Sequence, residues 1–382
     1  MHLKKSFASD NWSGVCPEVM QALQEVNPAH NEAYGELNDP VTEAAIEKFK
    51  QHFGEDIAVF FVYNGTAANV LGVGQLMRSY HAVVTARTAH LNEDECAAPE
   101  KFMGSKILEL EPQEGKIRPG QVEPFLNSIG FQHHAQPKVI SISQVTEMGT
   151  IYTIKEIKAL ADFAHSHNMY LHMDGARIAN AVVSLDTDFR SITTDAGVDV
   201  LSFGGTKNGL MFGEVIIFFG KEKAKDFAYL RKQGMQLHSK MRYIAAQFDR
   251  YLTDDLWKKN ALQANLMAQK LAGELQKFPQ LKIAQEVKAN GVFCLMPAEL
   301  IPQLQQDYFF HIWNESPETE YVNLVGEDTN KGGEGNGLVG EDTNKRRIFK
   351  EVRLMCSWDT TEEDINNFIQ LLEQKINESL AI

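Results

Sequence analysis

The chain has 382 residues, 51 acidic against 37 basic, and a formal net charge of -14. That length accommodates a large core and two structural units, while the negative balance leaves no electrostatic footprint for nucleic acid or an anionic membrane. Four cysteines, Cys16, Cys96, Cys294 and Cys356, are scattered without disulfide or zinc-ligand spacing, and no stretch is long and apolar enough to cross a bilayer, so a cytoplasmic protein acting on a small molecule, without metal, is expected.

In chain order, Pro17–Val26 predicts a first helix with its proline in the opening turn. A second runs from about Thr42 to Phe53, with Ala45, Ile46, Phe49 and Phe53 at helical spacing and Gly54 as terminator. The apolar run Ile57 to Tyr63 reads as a strand buried on both faces. It ends at Asn64, and Gly65 and Thr66 then open an Ala-rich helix whose free amides suit either a plain cap or a phosphate. A strand from Ala82 to Thr85 leads into TAHLNEDEC. His90 there suits a cap on an acidic helix start or a base beside a ring.

The alternation continues with strands at Lys106–Leu110, Lys138–Ser143, Tyr170–Asp174, Val198–Phe203 and Glu214–Phe219, and with helices at Pro119–Leu126 and Ile154–Ser166. It predicts an α/β fold with a mostly parallel sheet. Long helical segments follow, Glu222–Met235 and Met241 to about Gln276 with a break near Thr253-Asp254. The last hundred residues, with strands Val292–Met296 and Glu351–Ser357 and a helix Glu362–Ser379, predict a smaller α+β unit. The expected division is a large domain over 26–250 and a small one made of 1–25 and 251–382. LVGEDTNK occurs twice, at Leu324–Lys331 and Leu338–Lys345, around GGEGNG. This insert, at about 322–347, predicts an exposed loop, and its acid and glycine offsets do not follow a calcium-binding loop.

Two motifs carry chemistry. SFGGTKNG, Ser202 to Gly209, puts Lys207 in a glycine-rich turn directly after a strand, where burial lowers a lysine pKa and frees the amine as an imine-forming nucleophile. Asp174, in HMDGARIANA, stands at the carboxyl end of another strand, where open α/β sheets bind ligands. It fits either a helix cap or the acid that keeps a pyridine nitrogen protonated. Together the two match what pyridoxal phosphate requires.

Taken with SDN near the start, YNGTAAN and TAHLNEDECAAPE, these motifs make the chain resemble the L-threonine aldolase family of fold-type-I pyridoxal-phosphate enzymes, within the beta-eliminating lyase superfamily and nearest its low-specificity and phenylserine branch. The resemblance covers about 7–250 and resumes at EVRLMCSWDTTEED. It implies a large domain with a seven-stranded sheet, pyridoxal 5'-phosphate bound on Lys207, and Asp174 at the pyridine nitrogen. It also implies His90 over the ring, Gly65, Thr66, Arg177 and Thr206 at the cofactor, and Ser9, Arg177 and Arg353 on the substrate carboxylate. His133, with His134 beside it, takes the place of a second active-site histidine. The implied reaction cleaves L-threonine, L-allo-threonine or another L-β-hydroxy-α-amino acid, phenylserine included, to glycine and an aldehyde, with Lys207, His90, His133 and Asp174 as its machinery. The implied assembly is a homotetramer, a dimer of dimers. A β-eliminating lyase or aminotransferase shares this scaffold, and a non-catalytic binding protein would keep its fold.

Overall fold

The computed structural model describes residues 5–35, 39–321 and 346–380; both copies of the repeated octapeptide lie outside them. Seven strands form the main sheet: β1 (Ile57–Val62), β2 (His81–Ala86), β3 (Lys106–Leu110), β4 (Gln136–Ser143), β5 (Tyr170–Gly175), β6 (Val200–Gly204) and β7 (Glu214–Phe219). Their order is β1-β7-β6-β5-β4-β2-β3, and β7 runs antiparallel to both its neighbours while the other pairings are parallel. Helices cover both faces, which is why β6 and β7 are buried at every position and read as mostly apolar runs. Phe49 and Phe53 from the 40–53 helix pack edge-on against Phe203 of β6, and all three are fully buried. Each contributes roughly 1.5–3 kcal/mol of burial.

Local chemistry sets the helix ends. Asp39 accepts from Val41 N at the start of the 40–53 helix, and Thr153 with Glu156 forms a reciprocal capping box at the start of the 154–166 helix. The segment expected as one helix over 222–235 is a short 3-10 turn, Lys221–Ala224, followed by a helix from Phe227, because Asp226 adopts φ +64° and interrupts the ladder. Asp254 and Asp255, at φ +53° and +54°, break the next segment into helices Arg242–Tyr251 and Leu256–Leu275 near the expected place.

A second sheet, ordered β10-β11-β9-β8, comprises β8 (Lys282–Ile283), β9 (Gly291–Pro297), β10 (His311–Tyr321) and β11 (Arg346–Met355), all antiparallel. With the 362–380 helix it encloses a smaller core around Val292, Leu354, Phe368 and Leu372. Residues 1–25, expected to fold with this unit, divide between the cores: Phe7 enters the small one, Cys16 and Val19 the large one. The 256–275 helix does the same, with Trp257 and Ala261 in the large core and Leu271 and Leu275 in the small.

Candidate active site

The carboxyl ends of β2, β4, β5 and β6 meet at one edge of the sheet; Asp174 stands at the end of β5, and the segments leaving β2, β4 and β6 carry His90, Glu147 and Lys207. The lysine turn is shaped by two glycines. A Cβ on Gly204 would lie 2.5 Å from the Ala176 carbonyl oxygen, and one on Gly205 would meet Leu210 and Phe248. The close approach of the β5 and β6 ends therefore requires glycine, and it sets Thr206–Asn208 as a single 3-10 turn beside Asp174.

Two adjoining cavities, of about 330 and 230 Å³, share Asn11, His90 and Lys207. The first is lined by Asn64, Gly65, Thr66, Asp174, Thr206 and Glu214. Asn64 caps the 65–75 helix by accepting from Ala67 N at 2.9 Å, which leaves the Gly65 and Thr66 amides for an anion at the helix start. Thr206 Oγ1 donates to Gly213 O at 3.3 Å. The second cavity is lined by Ser9, Glu147, Arg177, Phe293, Trp313 and Arg353, among others.

Lys207 has a pKa held below the ordinary lysine value, by burial first and then by the Arg177 charge. Burial works to raise the Asp174 carboxyl, but the charges of Lys207 and His90 outweigh it and hold the acid below the usual range. Asp174 Oδ1 accepts from Ala176 N at 2.9 Å and Oδ2 from Asn69 Nδ2 at 2.8 Å. His90 Nδ1 pairs with the buried Glu95 at 3.0 Å, and that hydrogen bond raises the imidazole pKa. Glu95 Oε1 also accepts from Asn69 at 3.3 Å, so Asn69 ties the two carboxylates together. Below Lys207, burial pushes Glu214 up to about 7; it accepts from Gly205 N at 2.9 Å.

Each of the three groups expected on a substrate carboxylate has a protein partner. Arg177 donates Nε and Nη2 to Asp10 at 2.7 and 2.8 Å, leaving Nη1 as the nitrogen that can reach a ligand. Ser9 Oγ caps the Asp10–Trp12 turn through Asn11 N at 3.1 Å. Arg353 differs. It stacks on Trp313 with its guanidinium carbon 4.5 Å from the ring centroid, its Nη2 donates to Ala8 O at 3.3 Å, and its Nε is buried without a partner. Burial and the Arg177 charge lower its pKa to about 10. A guanidinium that lines a cavity is suited to an anionic ligand group.

His133 is not at this edge. It lies exposed in the turn that precedes β4, edge-on to Phe131, and His134 sits in the same turn. That turn is at the amino-terminal end of the strand, the opposite end from Asp174 and Lys207 of the same chain, while Glu147, from the loop after β4, lines the second cavity. Sequence reading also passed over Asp10, Asn69, Glu95 and Glu214. Asn69 carried a signal, being a polar residue in the otherwise apolar helix stretch AANVLGV.

A lysine with a lowered pKa, an ionised acid beside it and a helix start open to phosphate fit pyridoxal phosphate in the first cavity. Residues 6–299 match the model of the beta-eliminating lyase family. The chain belongs to the beta-eliminating lyase family. It is 39% identical to the low specificity L-threonine aldolase of Pseudomonas aeruginosa over 362 residues, 94% of this chain and 95% of that one, and 38% identical to that of a Pseudomonas species over 94% of each. Among solved structures it superposes on the Leishmania major threonine aldolase with a TM-score of 0.82 at 25% identity, covering 97% of this chain and 99% of that one. The fold is that of fold-type-I pyridoxal-phosphate enzymes, the cofactor is pyridoxal 5'-phosphate, and the chain is a lyase of that class. No helix among the described residues is long and apolar enough to cross a membrane.

Proposed function

We propose that this beta-eliminating lyase family member cleaves L-β-hydroxy-α-amino acids, L-threonine and L-allo-threonine with phenylserine among them, to glycine and an aldehyde. One observation carries the reading: two adjoining cavities that share Lys207 are lined by Asp174 on one side and by Arg353 on the other. The names of the Pseudomonas relatives support it.

Bound through Lys207, pyridoxal phosphate supplies a ring that accepts the electron pair of a bond broken at the substrate Cα. The Gly65 and Thr66 amides with Thr206 hold its phosphate, and Asp174, kept ionised and aimed by Asn69 and Ala176 N, holds the proton on its ring nitrogen. Arg353, with Ser9 and Arg177 Nη1, grips the substrate carboxylate, and this grip turns the Cα–Cβ bond rather than the Cα–H bond towards cleavage. His90, whose bond to Glu95 favours its cationic form, stands at the junction of the two cavities. Phe293, Trp313 and Met355 give the second cavity an apolar wall suited to an aryl or alkyl β-substituent. The chain acts in the cytoplasm as a homo-oligomer, a dimer of dimers; in support, Phe102 and Met235 are exposed beside the 65–75 helix start. Product analysis tests the reaction: glycine and aldehyde in equal amounts are expected from L-threonine, whereas keto acid with ammonia would move the chain to β-elimination.

A further inference from the structure

The proposed cleavage needs a base for the β-hydroxyl proton, and His90 is poorly placed for that task. Its Nδ1 is bonded to Glu95 and its imidazole is held as a cation to higher pH than usual. His133, the other expected base, lies at the far end of β4. Glu147 is a half-buried carboxylate that lines the substrate-side cavity and that no role above uses. Its Oε1 accepts two hydrogen bonds, from His90 N at 2.8 Å and from Ser143 Oγ at 2.6 Å. Its Oε2 takes no hydrogen bond from another residue among the described residues, and the side chain lines the cavity that contains Arg353 and Trp313. Both donors to Oε1 stand on chain segments that leave the main sheet, so the carboxylate is fixed from behind with one oxygen left to the ligand.

We infer that Glu147 Oε2 is the general base for carbon–carbon cleavage, taking the proton of the substrate β-hydroxyl. The O–H bond breaks and its proton moves to Glu147. The oxygen forms the aldehyde carbonyl as the Cα–Cβ bond breaks, and that bond's electron pair stays with the glycine fragment. Cα then takes a proton from Lys207, which regains one from solvent as Glu147 releases its own there, so substrate equals glycine plus aldehyde. Burial raises the Glu147 carboxyl above its ordinary range, with Asp174 adding to the shift, and strengthens it as a base. The ionisable groups around it are His90, Asp174, Arg177 and, from behind, Tyr152; Asp94, Lys207 and Arg353 share the cavity wall. Asp94 is exposed and lacks this desolvation.

The inference rests on the proposed aldolase reading, and one set of measurements on the cofactor-loaded full chain separates the two. Glu147→Gln keeps the acceptor for His90 N and Ser143. The expected result is aldehyde release from L-threonine lowered about 10²- to 10⁴-fold, with solvent exchange of the glycine Cα proton retained within about threefold, because glycine has no β-hydroxyl. Infrared difference spectra of the same two proteins add a readout independent of turnover: a protonated-carboxyl band that titrates above the usual carboxylate range and is missing from the variant. Aldehyde release by the variant at the wild-type rate would overturn the assignment, and so would a parallel loss of glycine exchange, which would make Glu147 a prop for His90. A wild-type band titrating in the ordinary range would also overturn it. If the wild type itself releases no aldehyde, the aldolase reading fails and this assignment goes with it.

Discussion

Replacing Arg353 by methionine keeps the stem that covers Trp313 and removes the guanidinium. In the structure Arg353 lines the substrate-side cavity, and its Nη2 holds a 3.3 Å bond to Ala8 O. The carboxylate of a bound amino acid therefore stands to receive one or two charge-assisted hydrogen bonds, each contributing about 1.5–3 kcal/mol. Taking the total as roughly 2–4 kcal/mol, and 1.36 kcal/mol per tenfold, the Kd for glycine rises about 30- to 1000-fold. Glycine is the apt probe because it carries the carboxylate and no β-substituent, so its Kd, read by absorbance titration of the loaded enzyme, reports the carboxylate grip alone. Stability should move the other way. Burial already drags the Arg353 pKa down to about 10, so the charge is costly in the empty site. Methionine should leave the Tm of the cofactor-free chain unchanged or higher, and Arg353→Lys should recover only part of the affinity because it lacks the planar fork. A glycine Kd within threefold of wild type, or a Tm that falls while affinity holds, would show that Arg353 is a structural contact and refute the reasoning.

Three further outcomes are expected. Glu214 has a folded pKa of about 7, above the ordinary 4.5, so the folded chain binds more protons between those values and loses stability as pH rises through that window; Glu214→Gln should flatten the fall in Tm of the cofactor-free chain between pH 5 and pH 8, and an unaltered slope would count against it. Glu95→Gln removes the bond that raises the His90 pKa, so the histidine should titrate at lower pH by NMR, and an unmoved titration would show that another group sets the charge. Gly204→Ala puts a Cβ 2.5 Å from backbone and should cost roughly 3 kcal/mol in denaturant unfolding; a silent substitution would mean that the β5 and β6 ends separate freely.

The elements that sequence reading located best are those whose signal is local. Ile57–Val62, Glu214–Phe219 and Ile154–Ser166 sit where their apolar runs and capping residues put them. Lys207 and Asp174 stood out for the same reason, since strand-end glycines mark their turns. The site's partners were harder to see because they meet across the chain: Asp10 reaches Arg177 across 167 residues and Asn69 reaches Asp174 across 105. His133 went astray because a histidine pair beside a strand does not reveal which end of the sheet it will occupy, and that depends on the parallel order of β2, β4 and β5. Glu147 went unnoticed for a related reason. Nothing in SQVTEMGT separates a loop glutamate in solvent from one drawn under His90.

The central claim is that Lys207 carries the cofactor of a carbon–carbon lyase. The most direct measurement is borohydride reduction of the purified, pyridoxal-phosphate-loaded chain, with peptide mapping and with glycine and aldehyde counted from L-threonine before reduction. The account predicts cofactor fixed on the peptide containing Lys207, equal amounts of glycine and aldehyde, and no turnover after reduction or in Lys207→Ala. Cofactor fixed on another lysine, or a Lys207→Ala variant that still releases aldehyde at the wild-type rate, would contradict it.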